Sequence, residues 1–200
     1  MLALSRAIDA LSERIGRLLY WLVLAVVLIS AANATVRKLF NYSSNAYLEI
    51  QWYLFSLLFL FCAGYVLLHN AHVRIDIVSG RLSARVQNWI DIVGIVFFLF
   101  PMSAIIMWLS WPLFMDSYTR NEVSTNAGGL IIWPARLMVP IGFFLLIMQG
   151  VSELIKRIAF LAGKIPNPLE RHDKSAEEEL LQEMAREHAD VPIAGTGTKP

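Results

Sequence analysis

The sequence predicts an all-α integral membrane protein with four transmembrane helices. Of its 200 residues, 56% are hydrophobic and only 16% are charged, and the mean hydropathy is +0.54. A soluble domain carries about 45–50% apolar and about 25% charged residues, so this chain is too apolar for a water-soluble fold. Its single cysteine, Cys62, excludes an internal disulfide framework. Its basic residues are dispersed and form no nucleic-acid-binding patch.

Four long gaps between charged residues define the predicted spans, which are residues 18–36, 50–68, 92–115 and 130–152. A helix crosses the roughly 30 Å hydrocarbon core in about 20 residues, and the first three segments qualify without help. The fourth contains Arg136. It becomes long enough if residues 130–133 enter the interface and the Arg136 side chain reaches out to water. None of the four alternates apolar and polar residues, which favours helices over barrel strands.

The basic residues predict the orientation of the helices. Ten Lys and Arg residues flank the spans on one side, and four flank them on the other, namely Arg37, Lys38, Arg120 and Arg136. Cytoplasmic loops carry the excess of positive charge, so both ends of the chain are predicted to face the cytoplasm.

Residues 1–17 are predicted to form an amphipathic helix that lies at the membrane interface and runs into the first span. Apolar residues recur there at helical spacing, at Leu4, Ile8, Leu11, Ile15 and Leu18. The alternative is a secretory signal with a cleavage site at residues 32–34 (ANA). Acidic residues at positions 9 and 13 favour retention of the segment.

Residues 161–200 are predicted to form an acidic cytoplasmic tail. Pro166 and Pro168 end the fourth helix. Ser175 and Glu178 have the spacing of a capping box, and an apolar stripe follows them, which predicts a short helix near residues 176–189.

No residue pattern indicates an enzyme, a metal site or a bound cofactor. The four histidines lie in the tail or at one end of the second span, where they cannot face each other as haem ligands. Glu49 and Asp91 precede apolar segments and are predicted at helix starts, where a carboxylate favours the positive end of the helix dipole. Pro101 predicts a kink in the third span, and Pro140 an interruption in the fourth. A subunit fits this description better than a complete carrier.

Several loop motifs resemble one transporter family. They are EIQW from Glu49, HVRID from His72 directly after the second span, EVS from Glu122, Trp133-Pro134, and PIG from Pro140. Together, in this order among four spans, they resemble the small membrane subunit of tripartite ATP-independent periplasmic (TRAP) transporters. The resemblance covers about residues 15–160.

The resemblance implies a division of labour in a bacterial inner membrane. A periplasmic binding protein captures an organic acid through its carboxylate, and a large permease subunit imports it with sodium. The small subunit scaffolds the large one and helps to dock the binding protein. We therefore expect contacts with both partners and with the lipid bilayer from these residues: Glu49, His72, Arg74, Asp76, Arg120, Glu122, Ser124, Trp133 and Pro134.

The implied roles differ along the chain. His72, Arg74 and Asp76 would fix a short cytoplasmic loop against the large subunit, and residues 116–133 would form part of the landing surface for the binding protein. Two other classes remain open. One is a self-sufficient homodimeric carrier with Glu49 as its coupling carboxylate. The other is an electron-transfer anchor, which the histidine positions disfavour.

Overall fold

Four long apolar helices confirm the all-α, four-span prediction. The computed structural model describes residues 1–40, 44–70 and 82–168. Each helix is long and apolar enough to cross a membrane: α1 (Leu2–Phe40), α2 (Asn45–Leu68), α3 (Ala84–Thr119) and α4 (Trp133–Leu161). Among the described residues, the β-type pairing is limited to one isolated bridge between Val123 and Ile131.

The helices extend beyond the segments predicted as spans. α1 is continuous from Leu2, so no helix end separates the predicted interfacial segment from the first span. α4 begins at Trp133, and residues 130–132 belong to the preceding loop. The membrane boundaries, the orientation and the interfacial position of residues 1–17 stay predictions. The loop with His72, Arg74 and Asp76 and the tail helix near 176–189 lie outside the described residues.

α4 is the central helix, because it contacts each of the other three. Small residues let its neighbours approach closely, as is typical of membrane helix packing. A Cβ added at Gly142 would lie 2.8 Å from the Leu60 Cβ on α2, and one added at Gly150 would lie 2.8 Å from the Phe100 ring on α3. On α3, the buried side is a serine stripe, Ser103, Ser110 and Ser117. Close backbone approach therefore sets the packing around α4.

The helices continue past their prolines, and the kink at Pro101 stays a prediction. Before Pro101, residues Ile95–Leu99 form a π-helical segment, in which the Phe100 N–H donates to the Ile95 carbonyl. Proline lacks an N–H and its ring clashes with the carbonyl four residues earlier, and a wider turn accommodates both. α3 then continues through Pro112, and α4 continues through Pro140. The predicted interruption of α4 at Pro140 is therefore wrong.

Contacts between helices define two ends of the bundle. At one end Glu13 of α1 pairs with His69 at 2.9 Å, and Asp91 of α3 pairs with Arg157 of α4 at 3.0 Å. We call this the N-terminal end. At the other end, residues 120–132 connect α3 to α4 and contact Glu49 of α2. We call this the loop end.

We expect Gly142→Ala to destabilise the bundle, because its Cβ would also lie 3.2 Å from the Leu60 carbonyl oxygen, a backbone atom that cannot simply rotate away. Overpacking of this kind costs about 1–3 kcal/mol. Gly94→Ala is the matched control, since a Cβ there meets nothing within 4 Å. Thermal unfolding in detergent should show a lower midpoint for Gly142→Ala only. Equal midpoints would contradict the close α2–α4 packing.

Candidate functional site

The segment that joins α3 to α4 forms a compact loop with a narrow neck. Just after α3 ends at Thr119, Asn121 lies in the left-handed region at φ 47°. The Glu122 N–H donates back to the Ser117 carbonyl at 3.0 Å. This is a Schellman-type ending, which turns the chain sharply. Two backbone hydrogen bonds of 2.9 Å close the neck, from Ile132 to Glu122 and from Ser124 to Leu130. The loop is thus pinned at its base.

Glu49 fastens this loop to α2. Its carboxylate accepts hydrogen bonds from the Ser124 hydroxyl, from the Asn126 amide at 2.9 Å and from the Leu130 backbone N–H at 2.6 Å. The residue is only 5% exposed. A buried carboxylate is costly unless hydrogen-bonded, and here both of its oxygens have donors. Glu49 lies in the second turn of α2, because the helix begins at Asn45 rather than at the predicted start.

Two further α2 residues extend this attachment. The Asn45 amide donates to the Ala127 carbonyl at 3.1 Å, and the Tyr53 hydroxyl donates to the Ile131 carbonyl at 3.2 Å. Residues 45, 49 and 53 are four apart and share one face of the helix. Sequence reasoning missed Asn45 and Tyr53. The signal was available as polar side chains at four-residue spacing around Glu49.

The other charged residues of the loop fall into one engaged pair and one exposed pair. Glu122 forms an ion pair with Arg136 of α4 at 2.6 Å, and Arg136 also donates to the Leu113 carbonyl at 3.3 Å. Arg120 pairs with Asp116 one turn earlier at 2.7 Å, with both side chains largely exposed. Glu122 therefore holds the base of the loop, whereas Arg120 faces outward.

Trp133 and Pro134 begin α4 and pack the loop end. The Trp133 ring meets Tyr118 edge-on, with centroids 5.5 Å apart, and lies 6.5 Å from Phe114. Pro134 occupies the first turn of the helix, where its missing N–H costs nothing. Trp133 thereby packs α4 against α3. The tip of the loop, residues 125–128, is exposed.

A second polar cluster, at the N-terminal end, lies on one face of α4. Gln149, Ser152, Glu153, Lys156 and Arg157 are spaced as neighbours along a helix. Lys156 pairs with Asp9 of α1 at 3.3 Å and with Glu153. Arg157 pairs with Glu153 and, at 3.0 Å, with Asp91 of α3. Alternating charges therefore run from α1 across α4 to α3.

Neutral side chains also belong to this polar cluster. The Gln149 amide donates to Asp9 at 3.0 Å, and its oxygen accepts from Ser12 at 2.7 Å. The Ser152 hydroxyl donates to Asp9 at 2.6 Å, and it also lies 2.7 Å from the Ser5 hydroxyl. Arg157 is only 3% exposed. The cluster joins three helices through buried, satisfied polar groups.

The structure brings together six of the nine predicted interface residues, all at the loop end: Glu49, Arg120, Glu122, Ser124, Trp133 and Pro134. His72, Arg74 and Asp76 lie outside the described residues. The predicted position of Asp91 at a helix start is wrong. The helix begins at Ala84, and Asp91 instead faces Arg157 from two turns further along.

Four apolar helices tied by polar clusters at both ends define a multi-helix membrane component. The family model for the DctQ component of tripartite ATP-independent periplasmic transporters matches residues 26–160. The chain belongs to this family and is thus the small membrane subunit of such a transporter, which confirms the resemblance in its loops. Comparison with curated proteins and with solved structures gives no match.

We expect Glu49→Ala to loosen the loop, because three donors lose their acceptor. An unsatisfied buried donor costs about 1–3 kcal/mol, so hydrogen exchange at the Leu130 amide should accelerate about tenfold or more. Asp116→Ala, which removes an exposed pair at the same end, is the control and should leave that amide unchanged. Unaltered exchange in Glu49→Ala would show that the carboxylate does not hold the loop.

The polar cluster at the N-terminal end leads to a second prediction, which compares the loss of a buried arginine with the loss of an exposed one. Arg157 and Arg17 each follow a glutamate partner by four residues, but Arg17 is 73% exposed at its side chain and Arg157 is 3% exposed. Arg157→Ala removes a buried cation that pairs with both Glu153 and Asp91 and leaves Glu153 with Lys156 alone, which should cost about 3 kcal/mol of unfolding free energy, the lower end of the range for breaking a buried ion pair. Arg17→Ala should cost less than about 1 kcal/mol. Denaturant titration in detergent measures both, and similar losses would refute the contrast.

Proposed function

We propose that this subunit is the fixed scaffold of a sodium-driven TRAP transporter that takes up an organic acid across the bacterial inner membrane. The match of residues 26–160 to the DctQ component carries this proposal. In it, the small subunit braces the large permease subunit, which holds the sodium and substrate sites. Both chain ends face the cytoplasm, as the basic residues predict.

The geometry of the charged groups supports a scaffold over a carrier. Glu49 is the residue that a self-sufficient carrier would use as its coupling carboxylate, and its oxygens are occupied by three donors from the loop. Arg157 likewise serves a contact between helices, through Asp91 of α3, and Glu153 pairs with Arg157. Carboxylates that couple transport must exchange protons or ions along an accessible path. Glu49 instead serves to position residues 120–132.

The loop end is the proposed landing surface for the binding protein. If both chain ends lie in the cytoplasm, the loop end of the bundle is periplasmic. Its tip, residues 125–128, is exposed while the loop is held to α2 by Asn45, Glu49 and Tyr53. A fixed, exposed loop loses little conformational freedom on binding, which favours docking. Arg120 and the tip would make the outer contacts, and Glu122 would support them through Arg136. His72, Arg74 and Asp76 would bind the large subunit from the other end.

Affinity purification of the tagged chain from its native host, followed by mass spectrometry, tests the scaffold. We expect a stoichiometric large membrane subunit to co-purify. A homo-oligomer that lacks such a partner and transports substrate alone in liposomes would support the carrier and overturn the scaffold.

The same complex tests the landing surface. Thr125→Trp places a bulky side chain on the exposed tip, at a residue whose own side chain is not among those that bind Glu49. We expect the large subunit to co-purify normally, while capture of the binding protein and substrate uptake fall by about tenfold or more, the loss typical of a disrupted contact worth at least about 1.4 kcal/mol. Leu18→Trp, on an exposed position of α1, is the control for bulk. Normal capture by Thr125→Trp would exclude the tip from the interface.

A further inference from the structure

The N-terminal half of α1 presents two different faces. Its buried face is mostly small and polar, with Ser5, Ile8, Ser12, Gly16 and Leu19. Three leucines of the predicted apolar stripe are turned away from the bundle, with Leu4, Leu11 and Leu18 56%, 40% and 71% exposed, whereas Ile8 of the same stripe is only 7% exposed. At 3.6 residues per turn, these three leucines lie within about 40° of one another. An apolar stripe thus remains uncovered on the outer side of α1.

The register between α1 and α4 shows how this half of the helix runs. Ser5 contacts Ser152, and Ser12 contacts Gln149. Over this stretch α1 advances by about 10 Å, while α4 advances by only about 4.5 Å. α1 therefore crosses the central helix obliquely and does not run alongside it.

The same register sets the depth of the crossing. Gln149 and Ser152 lie about 24–28 Å along α4 from its first residue, Trp133, close to the thickness of a hydrocarbon core. The N-terminal half of α1 therefore runs near the level where the apolar part of α4 ends. With the predicted membrane boundaries, the outer face of this half of α1 lies beside the membrane surface.

The charges of this segment are sorted by side. The acidic residues face the bundle, because Asp9 pairs with Lys156 and Glu13 pairs with His69. The arginines are exposed: Arg6 and Arg14 are exposed, and Arg17, which is 73% exposed at its side chain, also pairs with Glu13 at 3.4 Å. Arg14 lies within about 60° of Leu11 and Leu18 on the helix circumference, whereas Arg6 and Arg17 lie about 100° or more away from the leucines. The outer face is therefore apolar along one line, with the Arg14 guanidinium beside it.

We propose that the outer face of residues 4–18 is a docking surface for anionic phospholipid. The leucines would enter the interface, and the guanidinium group of Arg14 beside them would bind a headgroup phosphate, for which Arg geometry is suited. Charge complementarity selects this occupant, because an anionic leaflet attracts a basic, amphipathic face and a zwitterionic one does not. This surface would fix the tilt of α1, and hence of the bundle, relative to the membrane.

A fluorophore on the outer face tests this proposal in the full-length chain. Ala7→Cys lies on the exposed side between Arg14 and the leucine stripe, and Cys62→Ala removes the native thiol. The bimane-labelled chain in mixed micelles is titrated with phosphatidylglycerol or with phosphatidylcholine. We expect a blue shift of emission with phosphatidylglycerol at a far lower mole fraction than with phosphatidylcholine.

Charge variants decide whether the arginines cause this selectivity. Arg14→Gln should weaken the apparent affinity for phosphatidylglycerol about fivefold, the effect of one basic residue near an anionic surface. Arg37→Gln, an exposed arginine at the other end of the same helix, is the matched control and should have no effect. Equal responses to the two lipids, or equal losses in the two variants, would overturn the proposal. The proposal would also be overturned if the label no longer responded to lipid in the complex with the large subunit, because the large subunit would then occupy this face.

Discussion

Buried charges that must be paired hold the central helix in place at both ends. Arg157 and Glu153 lie in the most enclosed part of the bundle, where an unpaired charge would cost several kcal/mol, about 3–5 when a partner is lost. Arg157 pairs with Asp91 of α3, and Glu153 pairs with Lys156, which also pairs with Asp9 of α1, so satisfying these charges requires all three helices to adopt one register. At the loop end, the Glu49 carboxylate imposes the same requirement on α2 and residues 120–132. Between the two ends, glycines and serines let the helices pack closely around α4.

This arrangement suits a subunit that braces a moving partner. Apolar packing in a membrane is weakly directional, because lipid solvates an apolar helix as well as another helix does. Polar contacts at both ends of the bundle exclude alternative packings of the helices and specify one arrangement. The charged residues then serve cohesion within the subunit. The outward faces, which are apolar along the spans and basic beside the start of α1, remain for lipid and for the large subunit.

Much of the candidate site followed from sequence, but the contacts within it did not. The motifs around Glu49, Glu122 and Trp133 identified the loop end, because polar residues and tryptophan at span ends are rare enough to be informative. That Glu49 would meet Ser124, 75 residues away, depends on α2 and α4 lying side by side. Asp91 was assigned to a helix start because its charge precedes an apolar run. The helix begins earlier, at Ala84. Asp91 lies within it and has Arg157 as a partner. The polar stripe on α4 was visible at helical spacing, yet its lysine and arginine were interpreted only as topology signals.

The four helices, their apolar character and the family follow from the sequence, because hydropathy and local motifs depend on residues close together in the chain. Which face of α1 is buried follows only from how the helices pack. The leucine stripe was the obvious core face in a soluble protein. Here the serine and glycine face is buried instead, because Asp9, Gln149 and Ser152 require polar partners and close approach. The uncovered leucines can face lipid at no cost. Which face of α1 is buried depends on α4, 140 residues further along the chain, and no local pattern encodes it.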